Sequence, residues 1–133
     1  MRCTFKKFKP ILIMKVYLVC IAIITTILIA CTPNENQQKL IGKWAGVEWL
    51  VNDKPSGLNA LSTFFSFDDK GAYTYEYLGN KEKGTYKVEN EMLFTTPENQ
   101  QEMMVKIAKL TKDTLIFDMN RGGQAEMLTL IRK

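Results

Sequence analysis

The sequence has 133 residues, of which 24% are charged, and it contains three cysteines and no histidine. Five of the 18 lysines and arginines precede residue 31 and no acidic residue does, which leaves residues 31–133 with 13 basic and 14 acidic side chains, a net charge of −1. A near-neutral domain without a basic block gives no support for nucleic-acid binding, and the lack of histidine removes the commonest general base and metal ligand.

The first 30 residues have the three-part pattern of a secretory signal. A basic segment precedes an apolar run over residues 16–30, and the small residue Ala30 closes that run. The run is shorter than the roughly 20 residues that a membrane-spanning helix needs. We therefore expect a signal peptide over residues 1–30, with translation starting at Met1 or Met14. An uncleaved membrane anchor is the alternative.

The end of this signal, Leu28-Ile29-Ala30-Cys31, resembles the lipobox of bacterial lipoproteins. The resemblance implies that the Cys31 thiol receives a diacylglycerol, that acyl chains such as palmitate anchor the protein, and that Cys31 becomes the new N-terminus. We expect an outer-membrane lipoprotein that faces the periplasm, with display on the cell surface as the alternative. Because the other two cysteines lie in the signal, the folded domain has no disulfide and no thiol nucleophile.

Residues 31–39 are polar after the cysteine and are predicted to be a short flexible tether. A single domain over residues 40–133 follows, in which short runs of strand-forming residues alternate with turn signals. Residues 98–110 fit an amphipathic helix as well as a strand, and both interpretations stay open. The eight predicted strands cover residues 43–51, 63–67, 72–78, 85–89, 92–96, 103–110, 114–119 and 125–132.

Eight sequential antiparallel strands leave two exposed edges unless the sheet closes on itself. Closure removes both edges, and eight is a common strand number for closed barrels. The sequence therefore predicts an all-β fold, an eight-stranded up-and-down antiparallel barrel. An open, curved sheet with one end covered by a helix or loop is the alternative.

The segment Leu40-Ile41-Gly42-Lys43-Trp44 resembles the Gly-x-Trp signature of lipocalins, and residues 109–116 are similar to a hairpin found in small lipocalin-like bacterial lipoproteins. The resemblance implies that Gly42, Trp44 and Arg132 form a structural signature in which the arginine covers the tryptophan ring. It also implies a barrel that often holds one small hydrophobic molecule.

A row of aromatic residues is the second conspicuous feature. Tyr73, Tyr75 and Tyr77 alternate along one strand and therefore project from the same face. Three interpretations stay open: the row lines a ligand cavity, fills a closed core, or faces outward as a binding patch. The candidate ligand-binding residues are Phe65, Phe67, Tyr73, Tyr75, Tyr77, Tyr86 and Phe117.

Candidate chemistry is otherwise sparse, since the serines have no histidine to activate them. We expect no enzymatic activity, no cofactor and no metal. The favoured function is binding or carriage of a small hydrophobic molecule at the cell envelope. The alternative is a protein-binding module with an exposed aromatic face, such as an inhibitor, an immunity protein or an envelope assembly factor.

Overall fold

The computed structural model describes residues 34–133, so the predictions on the signal peptide and Cys31 lie outside the described residues. One short helix, one 3-10 turn and nine strands make up this part of the chain. Their bounds are α1 Glu35–Leu40, β1 Gly42–Val51, β2 Lys54–Pro55, the 3-10 turn Ala60–Ser62, β3 Thr63–Phe67, β4 Ala72–Tyr77, β5 Asn80–Glu89, β6 Met92–Pro97, β7 Met103–Leu110, β8 Thr114–Arg121 and β9 Gln124–Arg132.

The strands form one antiparallel sheet that closes into a barrel. Strands β1 and β3 to β9 pair with their neighbours in sequence order, and β9 returns to pair with β1 from Trp44↔Arg132 to Val51↔Glu126. The two-residue strand β2 only adds to the end of β1. The predicted all-β fold and eight-stranded up-and-down barrel are therefore confirmed, and the alternative of an open sheet is wrong.

The strand bounds differ from the prediction at two functionally relevant places, the start of β5 and the end of β8, which extends to Arg121. β5 begins at Asn80 and not at residue 85, because the chain already reverses at Leu78 and Gly79, which have φ angles of 50° and 82°. Residues 81–84 consequently pair with β4, and Glu82 lies opposite Tyr75. The ambiguous stretch near residue 105 is strand β7, so the helical interpretation is wrong.

A short helix stands where the sequence predicts a flexible polar segment. The Asn34 side chain accepts a hydrogen bond from the Asn36 amide and donates one to the carbonyl of Val88, each at 3.1 Å. The first bond caps α1, and the second fixes the start of the helix to the end of β5. Leu40, the last helical residue, is fully buried and stabilises the helix by apolar burial. The polar residues that precede it gave no indication of this contact.

Trp44 and Arg132 close the end of the barrel that α1 covers. The Trp44 indole is fully buried and donates a hydrogen bond to the carbonyl of Leu40 at 2.8 Å. The Arg132 guanidinium lies 4.2 Å from the centre of the indole ring and donates hydrogen bonds of 2.7 Å to the carbonyls of Ile41 and Lys39. This is the contact that the Gly-x-Trp resemblance implies, and it combines a cation–π interaction with charge-assisted hydrogen bonds.

Gly42 is required at this closed end for two reasons. Its φ angle is 135°, a conformation that residues with a side chain rarely adopt. A Cβ atom at this position would also collide with the Arg132 guanidinium. The glycine therefore provides the space in which the arginine reaches the tryptophan ring.

The described residues include no helix that is long and apolar enough to cross a membrane.

We expect Trp44→Ala to lower the free energy of unfolding by about 3–5 kcal/mol, because it removes a fully buried indole and leaves Arg132 without its ring. Val47→Ala, on the same strand but 39% exposed, should cost less than about 0.5 kcal/mol. Urea unfolding followed by circular dichroism measures both. A loss below about 1 kcal/mol for Trp44→Ala would contradict the structural role of this cluster.

Candidate functional site: an aromatic cavity in the barrel

The half of the barrel remote from Trp44 encloses a cavity of about 720 Å³. Ligand pockets in proteins usually have volumes of about 300–1,000 Å³ and mostly apolar walls. Side chains that point into the barrel form most of its wall, and its aromatic members are Trp49, Phe65, Tyr73, Tyr75 and Phe117. The Phe65 and Tyr75 rings pack 4.7 Å apart, and Phe117 meets Phe65 edge-on at 5.5 Å. The cavity is thus large enough for one small hydrophobic molecule.

The cavity opens between strands β7 and β8. These two strands pair only from Lys106↔Asp118 toward the closed end of the barrel. Residues 103–105 of β7 therefore pair with β6 alone, and residues 119–121 of β8 pair with β9 alone. Residues from both unpaired segments line the cavity. Met103 and Met104 lie at this opening and are 50% and 61% exposed. Flexible thioether side chains at a mouth adapt to ligands of different shape.

The predicted ligand-binding residues divide into three groups. Phe65, Tyr73, Tyr75 and Phe117 line the cavity. Tyr77 lines a smaller, more polar depression of about 480 Å³ that shares Tyr75 and Glu82 with the cavity.

Phe67 and Tyr86 lie outside the lining of both cavities and pack against each other in the core, with their ring centres 4.9 Å apart. The Tyr86 hydroxyl donates a hydrogen bond of 2.6 Å to the carbonyl of Asp68. Their role is therefore to fill the barrel next to the cavity.

The charged residues of the cavity lining were not among the predicted site residues. Glu82 accepts a hydrogen bond of 2.7 Å from the Tyr73 hydroxyl, and it was missed because strand β5 was predicted to begin later. Arg121 lies beyond the predicted end of its strand at residue 119, whereas it is the last residue of β8. The inward alternation of residues 115, 117 and 119 along β8, extended by one step, was the signal that could have found Arg121.

Arg121 belongs to a hydrogen-bonded cluster at the rim of the cavity. The Glu126 carboxylate is only 8% exposed, and its Oε2 atom accepts hydrogen bonds from the Trp49 indole at 2.9 Å and from Arg121 Nη2 at 3.1 Å. The guanidinium also lies 5.4 Å from the centre of the Trp49 ring. The cluster therefore fixes a cation beside an aromatic wall of the cavity.

The protonation of three tyrosines reflects their place inside the barrel. Burial, followed by the nearby carboxylates of Asp68 and Asp69, raises the pKa of Tyr86 to about 12. Burial and the hydrogen bond to Glu82 raise the pKa of Tyr73 well above its usual range. Burial also raises the pKa of Tyr75, and the positive charge of Arg121 opposes that rise. All three hydroxyls are consequently neutral hydrogen-bonding groups at physiological pH.

Within residues 34–133 there is no group of three or more carboxylate, thiol or imidazole side chains that could hold a metal ion.

A family comparison identifies the fold. The model of the lipocalin-like domain family matches residues 40–117. The chain belongs to the lipocalin-like domain family. Members of this family are typically binding proteins. No curated protein matches the chain.

Two solved structures share the lipocalin-like fold. An uncharacterized protein from Bacteroides eggerthii DSM 20697 superposes with a TM-score of 0.57 at 16% identity, covering 71% of this chain and 99% of that one. A lipocalin-like protein from Bacteroides uniformis ATCC 8492 gives a TM-score of 0.53 at 17% identity, covering 71% of this chain and 98% of that one. At these levels of identity the two structures show that this chain shares their fold.

The raised pKa of Tyr86 predicts a specific loss of stability in alkali. Above about pH 10 the unfolded chain releases the Tyr86 proton, whereas the folded chain keeps it up to about pH 12. Because the folded state then binds more protons, the free energy of unfolding falls as the pH rises through this window. Tyr86→Phe should make that fall shallower in urea melts at pH 9 to 12. Equal pH dependence of the variant and the wild type would contradict the assignment.

Proposed function

We propose that this chain is a membrane-anchored lipocalin-like lipoprotein that binds a small hydrophobic molecule in the bacterial cell envelope. The observation that carries the proposal is the aromatic cavity of about 720 Å³, which opens to solvent through a gap in an otherwise closed barrel. A barrel completely filled by its own side chains would leave no such volume. We infer no enzymatic activity, in keeping with a family of binding proteins.

The orientation of the tyrosine row favours a ligand over a protein partner. Tyr73 is 3% exposed, and Tyr75 and Tyr77 are partly buried against the core. The alternative of a protein-binding module requires an exposed aromatic face, which this row does not provide. Tyr73 and Tyr75 instead line the cavity. The Tyr73 hydroxyl is bonded to Glu82, and the Tyr75 hydroxyl is the one available to the polar end of a ligand.

Anchoring is the second part of the proposal and rests on Leu28-Ile29-Ala30-Cys31. Only a thiol can form the thioether to a diacylglycerol, so Cys31 is the required residue. Each buried methylene of an attached chain contributes about 0.8 kcal/mol to membrane binding, and two or more chains such as palmitate anchor a protein stably at the surface. The proposed site is the outer membrane, on its periplasmic side.

The ligand-binding part is tested with 11-bromoundecanol, a neutral amphiphile whose bromine quenches tryptophan fluorescence on contact. Trp49 lies in the cavity wall, so binding of the probe should quench it saturably. Tyr75→Ala should weaken this binding about tenfold, equivalent to about 1.4 kcal/mol, since the ring forms part of the wall.

Phe94→Ala is the matched control, because Phe94 lies on the same barrel but outside the core and the cavity lining, under the Lys87 ammonium. This variant should bind the probe like the wild type. Absence of saturable quenching in the wild type, together with a loss of several kcal/mol of stability in Tyr75→Ala, would show a filled barrel and refute ligand binding.

The anchoring part is tested by growing cells with radioactive palmitate. The wild-type chain should incorporate the label and sediment with membranes, whereas Cys31→Ser should incorporate none, because serine cannot form the thioether. Equal labelling of both chains would refute anchoring through Cys31 and leave the ligand-binding proposal unaffected.

A further inference from the structure

Arg121 presents free hydrogen-bond donors at the mouth of the cavity. It ends strand β8, lines the cavity and keeps 61% of its side-chain surface exposed. Its side chain donates one hydrogen bond to the part of the chain that the structure describes, from Nη2 to the Glu126 carboxylate. A guanidinium has five N–H donors in a planar fork that fits a carboxylate or a phosphate. Most of this fork therefore remains available to a ligand.

Glu126 and Trp49 hold Arg121 in position. The Glu126 carboxylate is buried, and because its Oε2 atom also accepts from the Trp49 indole, it is fixed on the wall of the barrel. The guanidinium carbon of Arg121 also lies 5.4 Å from the centre of the Trp49 ring, in a cation–π contact. A long side chain that is already ordered loses less conformational entropy when it binds a ligand. Glu126 is thus a positioning residue for Arg121.

The polar groups of the cavity are arranged along its depth. The charged end of an amphiphile must stay near water, since burial of an unpaired ion is costly. Arg121 is at the rim, and it is close enough to the Tyr75 hydroxyl to act on its pKa, while Phe65 and Phe117 form an apolar wall beyond them. Three other charged residues line the cavity. Lys106 and Asp118 lie where the pairing of β7 and β8 begins, and Glu82 is less exposed than Arg121 and already accepts the Tyr73 hydroxyl.

We propose that the cavity selects amphiphiles with an anionic head group, carboxylate or phosphate, and that Arg121 binds this head group at the mouth while the tail lies between the aromatic rings. The proposal rests on the ligand-binding function proposed above and specifies its ligand class. The Arg121–Glu126 pair is neutral overall, so the preference comes from directed hydrogen bonds and from the exposed side of the guanidinium. Glu82 and Asp118 are the carboxylates of the lining that would serve a cationic head group instead.

The test compares four brominated amphiphiles with the same undecyl chain: the carboxylate, the phosphate ester, the alcohol and the ammonium. The full chain is reconstituted in phosphatidylcholine liposomes, and tryptophan quenching is plotted against the free amphiphile concentration, measured after sedimentation of the liposomes. We expect at least one anion to bind about tenfold more tightly than the alcohol, and the ammonium to bind no more tightly than the alcohol. The two anionic arms distinguish a carboxylate from a phosphate ligand.

Arg121→Gln should abolish the anion preference, measured as the ratio of the anion affinity to the alcohol affinity in the same variant. Circular dichroism checks that the variant is folded. Arg121→Lys, which keeps the charge without the fork, should retain part of the preference. Lys106→Gln is the matched control, since Lys106 is a second cation at the same opening, and it should retain the whole preference. The preference should also weaken as the salt concentration rises, because Arg121 is exposed.

Several outcomes would overturn the inference. Equal affinity for all four head groups would leave ligand binding intact and remove the role of Arg121. A preference that survives Arg121→Gln, or that disappears in Lys106→Gln, would place the head group elsewhere. Tighter binding of the ammonium than of the anions, lost in Glu82→Gln or in Asp118→Asn, would assign the cavity to cationic ligands. Failure of all four amphiphiles to bind would refute the proposed function itself, which is a different result.

Discussion

The guanidinium of Arg132 joins parts of the chain that are far apart in sequence. It lies 4.2 Å from the Trp44 ring centre and donates hydrogen bonds to the carbonyls of Ile41 and Lys39, while its Nε atom donates one of 2.6 Å to the carbonyl of Lys112. One side chain on the last strand therefore holds the end of α1, the start of β1 and the β7–β8 turn. Because this contact seals one end of the barrel, access to the interior is left to the other end.

The barrel combines two arrangements that the sequence presented as alternatives. Next to the sealed end, Phe67 and Tyr86 pack in the core as in a filled barrel. Farther along, Tyr75 and Phe65 face an open volume. Burial along the tyrosine row follows this division, since Tyr73 is almost fully buried and Tyr75 and Tyr77 are only partly covered. An eight-stranded interior is wide enough for either arrangement, so the sizes of the side chains decide locally which one occurs.

Most of the fold could be predicted from the sequence, because strand alternation and turn residues are local signals. Gly42, Trp44 and Arg132 were recognised from short motifs, and their mutual contact is where the resemblance implied it. Helix α1 was missed because its stability depends on long-range contacts, the burial of Leu40 and the bond from Asn34 to Val88.

The polar half of the site was missed for a related reason. Arg121 and Glu82 are strand residues whose importance depends on where strands begin and end, which is the least certain part of any pattern-based assignment. Glu126 is similar, since an acidic residue on a strand is usually solvent-exposed. Its burial beside the Trp49 indole follows only from the closure of β9 onto β1. Residues that act through neighbours distant in sequence carry no local signal.

The incomplete pairing of β7 and β8 also has a consequence for the motion of the barrel. Elsewhere in the described barrel, separating two neighbouring strands breaks a ladder of backbone hydrogen bonds, but residues 103–105 and 119–121 face each other without one. Local opening at this seam therefore costs less free energy than global unfolding, and amide hydrogens there should exchange with solvent before those of β1 and β9. A ligand could thus enter and leave through a transient widening of the wall while the sealed end stays intact.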